Sequence, residues 1–349
     1  MCPKPYTLAD IYVLPNGNEA VDIVKRAVKN IKRNYDRNTH QLEAFYRRTD
    51  YRDSVASQLV EAALLIEDKG ITTSDETVRI QIQEIRKSTN YLVVMSKKHQ
   101  TALAVMEKYF GGHLNILYRT FTNQVRDYQS DWWYKPLTDY EKFNYEFEGF
   151  EWLDSTKVYK IRFIYNTRWP DGTRASGNKN LEAGGYIYIN SNDWAILKVE
   201  SWWRFLNQER WFKDNYLTWN ETGYQKINGK YYLKYKRSLD APDGEFWVYE
   251  NPDAPDKNKR IKSIQNAESI MLITNVVTSK NEMNKIRYRE KLARDENSLK
   301  TAYPYNPAFW KIYNGLKENP VEEKFIHDME WEKSLEIQFE ERSSNDAQN

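Results

Sequence analysis

The chain has 349 residues, of which 52 are Lys or Arg and 50 are Asp or Glu, so its formal net charge is only +2. A charge this small gives no electrostatic reason to expect binding to nucleic acid or to an anionic membrane surface. Cys2 is the single cysteine, which excludes an intrachain disulfide and a cysteine-based metal site. Aromatic residues make up 15% of the chain, with 26 Tyr and 12 Trp, and this composition favours many strands.

The N-terminal part of the chain has the pattern of an amphipathic helix followed by a strand. Residues 1–17 are interpreted as an extended lead-in or the remnant of a linker. A helix is predicted from residue 18, because Asn18 can cap it and apolar residues recur at helical spacing. Those residues are Ala20, Val24, Ala27 and Ile31. Residues 41–48 are rich in aromatic side chains and predict the first strand. We expect the apolar side of the helix to be buried by the concave face of the sheet.

Alternation of apolar and polar residues with a period of two predicts strands along most of the remaining chain. These strands cover residues 62–67, 78–83, 143–148, 159–165, 185–190, 193–205, 210–219, 230–237 and 269–277. Tight turns such as Asn228-Gly229 separate several of them, and tight turns connect antiparallel neighbours. The expected sheet is therefore large, antiparallel and in meander order. Residues 100–110 predict a central helix, which Gly111 would end.

The C-terminal part combines a helical pattern with a short alternating one. Residues 320–331 predict a helix, because Val321, Phe325 and Met329 recur at helical spacing. Leu335, Ile337 and Phe339 then alternate with polar residues, as in a strand. Residues 342–349 are polar and are interpreted as a disordered tail. Together these patterns predict a single α+β domain over residues 18–341.

Two segments near opposite ends of the chain resemble one known family. The first is AVDIVKRAVKNIKRNY (residues 20–35), followed by LEAFYR (42–47) and EA (61–62). The second is NPAFW (306–310), YN (313–314), LKENP (316–320) and LEIQF (335–339). Both segments resemble the carboxypeptidase-like regulatory domain-containing proteins of Gram-negative cell envelopes.

Members of that family begin with a signal peptide and a small transthyretin-like β-sandwich, and the present chain is similar to the region that follows. The resemblance implies a location in the periplasm or cell envelope. By strand order and helix placement, this region is in turn similar to the curved half-barrels of lipoprotein carriers such as LolA and LolB. The expected architecture is therefore a half-barrel of antiparallel strands that wraps the N-terminal and central helices, with a C-terminal helix.

The family name invites a search for a zinc peptidase. His40 and Glu43 form an H-x-x-E pair, but residues three apart in a strand face opposite sides of a sheet, so we expect no metal there. The sequence contains no G-x-S-x-G, P-loop, dinucleotide or H-E-x-x-H motif. Glu146 and Glu148 share a strand face, which fits a solvated surface better than acid–base catalysis. We therefore expect a protein that is not an enzyme and uses no cofactor.

Tryptophans are the remaining candidates for a binding site. Strict alternation places Trp194 and Trp202 on one face of the predicted strand and Trp203 on the other, while Trp211 and Trp219 belong to the next strand. One interpretation is that these rings are core residues or cover a partly wet sheet. The functional interpretation is that Trp194, Trp202, Trp211 and Trp219 line a groove that binds an acyl chain or a sugar ring.

These observations lead to a ranked set of functional expectations. The first is a non-enzymatic cell-envelope protein that binds a lipid, an acyl chain or a lipoprotein in the concave face of its sheet. The second is an interaction module that positions an outer-membrane or polysaccharide-handling partner without a small ligand. A hydrolase ranks third, and nucleic acid is not expected as a partner.

Overall fold

The computed structural model describes residues 19–53, 55–71, 78–89, 123–129, 135–166, 181–206, 216–240, 246–249, 260–263, 265–284, 286, 304–313 and 321–346. The first helix is α1 (Glu19–Asn34). The strands are β1 (His40–Arg52), β2 (Val55–Asp68), β3 (Val78–Lys87), β4 (Phe143–Leu153), β5 (Thr156–Tyr165), β6 (Leu181–Asn190), β7 (Ile196–Phe205), β8 (Tyr216–Ile227), β9 (Lys230–Asp240), β10 (Phe246–Tyr249), β11 (Arg260–Ser263) and β12 (Gln265–Val277). Three helices follow them: α2 (Pro307–Ile312), α3 (Glu323–Met329) and α4 (Leu335–Asp346).

Ten strands form one open, curved antiparallel sheet in the order β3-β2-β1-β12-β9-β8-β7-β6-β5-β4. Strands β1 to β3 form one meander and β4 to β9 another, and β12 lies between β1 and β9 and joins them. Strands β10 and β11 pair separately. The α+β class and the large antiparallel sheet that the sequence predicts are thereby confirmed, whereas the insertion of β12 between the two meanders is not part of the prediction.

Local sequence explains the tightest connection of the sheet. Asn228 and Gly229 both have positive φ angles, +49° and +83°, between β8 and β9. A two-residue turn of this type requires positive φ at both positions, and Asn followed by Gly tolerates it best. The predicted hairpin at this site is confirmed.

Helix α1 lies against the concave face of the sheet. Its apolar stripe is buried at Ala20, Val24, Ala27 and Ile31, as the helical spacing predicts, and Ile23 is buried beside it. These residues belong to a large cluster, here called the main core, with alternate side chains of the sheet strands such as Tyr46, Leu64, Ile161 and Ile187. The main core defines which side chains of each strand point to the concave face.

The three C-terminal helices pack on the opposite, convex face of β1 to β3. A second cluster joins Ala56 and Leu59 of β2 to Phe325, Met329 and Phe339 of α3 and α4. Beside it, the Glu61 carboxylate accepts hydrogen bonds from Arg47 Nε and Arg86 Nε, both at 2.6 Å. The Arg86 guanidinium lies 4.7 Å from the ring centroids of both Trp310 and Phe339, so it links α2 and α4 to the sheet.

The alternation of Leu335, Ile337 and Phe339 predicts extended structure, and this prediction is wrong. These residues lie in α4, which buries Gln338 and Phe339 and leaves Ile337 exposed. Ser334 precedes the helix, and its Oγ accepts the Ile337 N–H at 3.5 Å, as in an N-terminal cap. An apolar pattern of only five residues fits both the helical and the strand period. The capping residue Ser334 is therefore the more informative signal. Helix α4 also continues to Asp346, into the segment interpreted as a disordered tail.

Several predictions concern residues outside the described ranges. They include the Asn18 cap, the lead-in of residues 1–17, the central helix of residues 100–110, and Trp211. Among the helices of the described ranges, none is long and apolar enough to cross a membrane.

Candidate ligand-binding site on the concave face

The C-terminal end of α1 is fixed to the turn between β6 and β7. Arg33 Nη2 and Asn34 Nδ2 donate to the Asp193 carbonyl oxygen at 3.0 and 2.8 Å. The Tyr35 hydroxyl, which is buried, donates to the Ile196 carbonyl oxygen. These hydrogen bonds pair carbonyl groups of the turn and of β7 and set the position of α1 over β7.

The side chain of the same aspartate reinforces this contact. Its Oδ2 accepts hydrogen bonds from Lys226 Nζ at 2.9 Å and from the Tyr231 hydroxyl at 3.0 Å, and its Oδ1 accepts the Ala195 N–H at 3.1 Å. Burial alone would raise the pKa of Asp193, but these hydrogen bonds outweigh it and lower the pKa. Asp193 therefore stays ionised and joins α1 to strands β7, β8 and β9.

A buried polar cluster interrupts the main core near the middle of the sheet. Residues 123–129 bring Arg126 into it, where Nη1 lies 3.0 Å from Asp68 Oδ2 and Nε lies 2.7 Å from Asp127 Oδ1. The Tyr224 hydroxyl of β8 donates to Asn123 Oδ1 at 2.6 Å. Burial would lower the pKa of Arg126, but the two carboxylates outweigh it and raise the pKa. The guanidinium is therefore fully charged.

Lys236 of β9 lies beside this cluster on the concave face. It is opposite Thr222 of β8 and Met271 of β12, and only 4% of its surface is exposed. Burial, and to a lesser degree the Arg126 charge, lower the pKa of its amine to about 7, while the Asp127 carboxylate opposes the change in part. A perturbed amine beside a buried ion cluster is typical of a functional site, although structural networks can produce the same effect.

Lys236 cannot be recognised as a concave-face residue from the alternation along β9. Tyr231 and Leu233 point to the main core, so strict alternation would send residue 235 there and residue 236 to the other face. A bulge shifts the pairing, because Tyr224 pairs with Leu233 but Gly223 pairs with Tyr235. The extra residue brings Lys236 to the concave face. Nothing in the local sequence of β9 signals this bulge.

The structure separates the predicted tryptophan candidates. Strand β7 begins at Ile196, and Trp194 lies in the preceding turn with φ +63°. Its ring stacks on Tyr159 with centroids 5.4 Å apart and packs against the main core. The prediction that Trp194 and Trp202 share a face fails because the strand is shorter than the alternating pattern.

Trp202 and Trp203 point to opposite faces, as the alternation predicts. Trp203 packs against the main core and is half-buried. Trp202 is opposite Trp219 on the convex face and is only 3% exposed, because Tyr186, Tyr216 and Arg204 surround its ring. Of the interpretations left open for Trp202, the structure therefore favours a buried ring over a partly wet face. Ligand contact by Trp194, Trp202, Trp211 and Trp219 stays a prediction, and the three described rings do not line one groove.

The absence of a metal at His40 and Glu43 stays a prediction. His40 is buried, its Nδ1 lies 3.1 Å from the Asn38 carbonyl oxygen, and its ring meets the ring of Tyr232 edge to face. Within the described ranges, no three His, Cys, Asp or Glu side chains are close enough to hold a metal ion together.

Comparison with known proteins gives structural neighbours of low similarity. No protein-family model and no curated protein matches the chain. A DUF1329 family protein from Desulfovibrio piger aligns with 77% of this chain and 95% of its own, at 9% identity and a TM-score of 0.30. A putative outer membrane lipoprotein-sorting protein domain from Vibrio parahaemolyticus aligns with 77% and 96% of the two chains, at 8% identity and a TM-score of 0.31.

A LolA superfamily protein from Nitrosomonas europaea is also similar, covering 77% of this chain and 96% of its own at 11% identity and a TM-score of 0.28. The chain is thus similar to proteins that include a LolA superfamily member. Membership of the carboxypeptidase-like regulatory domain-containing family stays a prediction, since no family model matches.

Proposed function

We propose that the protein is a non-enzymatic protein of the cell envelope that binds a hydrophobic ligand or a lipidated partner against the concave face of its sheet. The observation that carries this proposal is the extent of the apolar concave face relative to α1. Ten strands spaced by about 4.8 Å span roughly 45 Å, whereas a helix of 16 residues is about 24 Å long and about 10 Å wide. One such helix covers only part of this face.

The hydrogen bonds and ring contacts of α1 and the adjoining Tyr35 lie on the β4 to β9 side. Their partners include Tyr140, Trp194, Ile196, Tyr224 and Tyr231. On the other side, the concave face of β1 to β3 carries a continuous set of apolar side chains, here called the β1–β3 apolar row. It consists of Leu42, Ala44, Tyr46, Ala62, Leu64, Ile66 and Ile80. This row is the surface on which an acyl chain would lie.

The polar cluster gives the proposed site a chemically distinct end. Asp68 belongs to β2, one strand of the apolar row, and it binds Arg126, whose charge acts on Lys236. A ligand with an apolar chain and a polar head would therefore find both kinds of surface on the concave face. Every side chain of the row is buried, so a ligand can reach the row only when the groups packed on it move apart.

The first experiment is mass spectrometry of lipid extracted from protein that was purified without detergent. We expect stoichiometric lipid, and its absence together with no binding of a fluorescent fatty acid would overturn the proposal. The alternative of an interaction module without a small ligand would then be favoured, and the exposed sheet edge described below supports that alternative.

A matched pair of variants locates the site. Leu64 points to the concave face and its neighbour Leu65 to the convex face, and both are buried. Each substitution by Ala should cost a similar free energy of unfolding, on the order of 2–5 kcal/mol. We expect Leu64→Ala to weaken fatty-acid binding by about tenfold through lost apolar contact, and Leu65→Ala to leave it unchanged. Equal effects of the two variants would place the ligand elsewhere.

A further inference from the structure

Among the residues that the structure describes, strand β4 pairs only with β5 and forms one edge of the ten-stranded sheet. It has 11 residues, of which those at positions 144, 146, 148, 151 and 152 are exposed. The backbone N–H and C=O groups of an edge strand form a row that an additional strand can bind. The question is what kind of strand the side chains of β4 would accept.

The side chains of β4 alternate between two kinds. Tyr145 and Phe147 point to the concave face, where they pack against the main core. Glu146 and Glu148 point to the convex face and are exposed, with 68% of the Glu146 side chain accessible. An added strand would meet aromatic rings on one face and carboxylates on the other.

Charges on the convex face alternate in sign from strand to strand towards this edge. Glu182 on β6 lies 3.9 Å from Arg162 on β5, which lies 3.6 Å from Glu146 on β4. Lys160 on β5 is likewise shared by Glu148 and Glu151 of β4, at 3.7 and 3.5 Å. The two cations of β5 thus face three carboxylates of β4, and one of these cations also faces Glu182. The next strand in this pattern would carry basic side chains.

We propose that the β4 edge binds an extended segment of a partner protein in which Lys or Arg alternates with apolar residues. The regular part of β4, residues 143–147, would pair with it, because a bulge at Gly149 with φ +108° interrupts the ladder beyond. A second copy of this chain is a poor occupant, since two antiparallel β4 strands would bring Glu close to Glu, and like charges across strands are destabilising.

The test uses a seven-residue peptide with blocked ends in which Lys alternates with Val, and measures its affinity for the full chain by fluorescence anisotropy. A second peptide of the same sequence carries N-methyl groups on alternate backbone nitrogens. Two such peptides are made, one methylated at the odd and one at the even positions, because only every second N–H of an added strand would point to β4. We expect the peptide whose methyl groups replace those N–H groups to bind at least about tenfold more weakly than the parent, because it loses several main-chain hydrogen bonds.

Charge reversal provides the matched control. We expect the double variant Glu146→Lys, Glu148→Lys to lose the Lys/Val peptide and to gain affinity for a Glu/Val peptide, each by about tenfold or more. The double variant Glu323→Lys, Glu340→Lys changes the net charge equally at exposed positions of α3 and α4 and should leave both affinities unchanged. Hydrogen exchange should slow at β4 amides when the Lys/Val peptide is bound.

Three results would overturn the proposal. They are equal affinity for the parent and both N-methylated peptides, an equal loss of binding in the two double variants, and unchanged exchange at the β4 amides. Self-association of the chain through β4, seen as dimers by sedimentation that Glu146→Lys abolishes, would also overturn it in favour of a second copy. None of these outcomes depends on whether the concave face binds lipid.

Discussion

The amine of Lys236 is buried, and burial disfavours its positively charged form. The pKa of about 7 in the folded protein lies below the ordinary value of 10.5. Between pH 7 and pH 10.5, the unfolded chain binds more protons at this amine than the folded protein does. The contribution of Lys236 to the free energy of unfolding therefore rises with pH through this window, and its cost is complete only below the folded-state pKa of about 7.

Replacing this amine should stabilise the protein. We expect Lys236→Met to raise the free energy of unfolding at pH 7 by on the order of 2–4 kcal/mol, since the cost of burying the charge is removed. The advantage should shrink as pH rises and vanish near pH 10.5. Urea unfolding at several pH values measures it.

Lys234→Met is the control for this substitution, because the Lys234 side chain is 49% exposed on the same strand. It should change the free energy of unfolding by less than about 0.5 kcal/mol at any of these pH values. A destabilised Lys236→Met protein at pH 7 would show that the amine makes favourable interactions that exceed its desolvation cost.

Trp202 illustrates how a ring on the convex face becomes part of the structure. Because its surface is 3% exposed among Tyr186, Tyr216 and Arg204, Trp202→Ala should leave a cavity and cost about 3–5 kcal/mol of unfolding free energy. Trp152 on β4 is 66% exposed, so Trp152→Ala should cost less than about 1 kcal/mol. Similar unfolding midpoints for the two variants would mean that the convex face at Trp202 is open to solvent.

At the scale of elements, α1 is the part whose burial follows most directly from its sequence. Val24 lies in the middle of the apolar stripe and is fully buried against the sheet. Val24→Asp would place a carboxylate in the main core and should cost about 3 kcal/mol or more.

Lys29→Asp introduces the same carboxylate at an exposed position of α1 and serves as the control. It should lower the unfolding midpoint only slightly. If thermal unfolding followed by circular dichroism gives Val24→Asp the midpoint of the unchanged protein, α1 does not pack on the sheet as described.

Elements with a long, single periodicity are the ones that the sequence predicts well. Helix α1 and strands β4, β5, β6 and β9 follow from spacing and from Asn228-Gly229, because each pattern is long enough to exclude the other period. The strand predicted over residues 210–219 is misplaced, since β8 runs from Tyr216 to Ile227 and overlaps only the end of that range. Helix α4 is missed, since Leu335 to Phe339 fits both periods. The start of β7 is misplaced because a turn residue, Trp194, happens to continue the alternation.

At the scale of the whole molecule, the candidate site depends on relations that local patterns do not contain. Asp68, Arg126 and Lys236 lie far apart in the sequence and meet only because β12 joins the two meanders and a bulge redirects β9. The concave face itself was predictable from the alternating strands, whereas its polar cluster was not.

The position of β12 also bears on how the chain is made. Leu42 of β1 pairs with Val276 of β12, and Lys236 of β9 pairs with Met271, so the centre of the sheet closes only when the segment up to residue 277 has been synthesised. Before that moment, β1 and β9 are two open edges that can pair with other chains. The pairing of β1 with β12 joins residues more than 200 positions apart. It is slow, because the chain between them must lose conformational entropy before the contacts form. We therefore expect a stage during synthesis in which aggregation competes with folding, and we expect a holding chaperone to raise the yield of folded protein until β12 has been made.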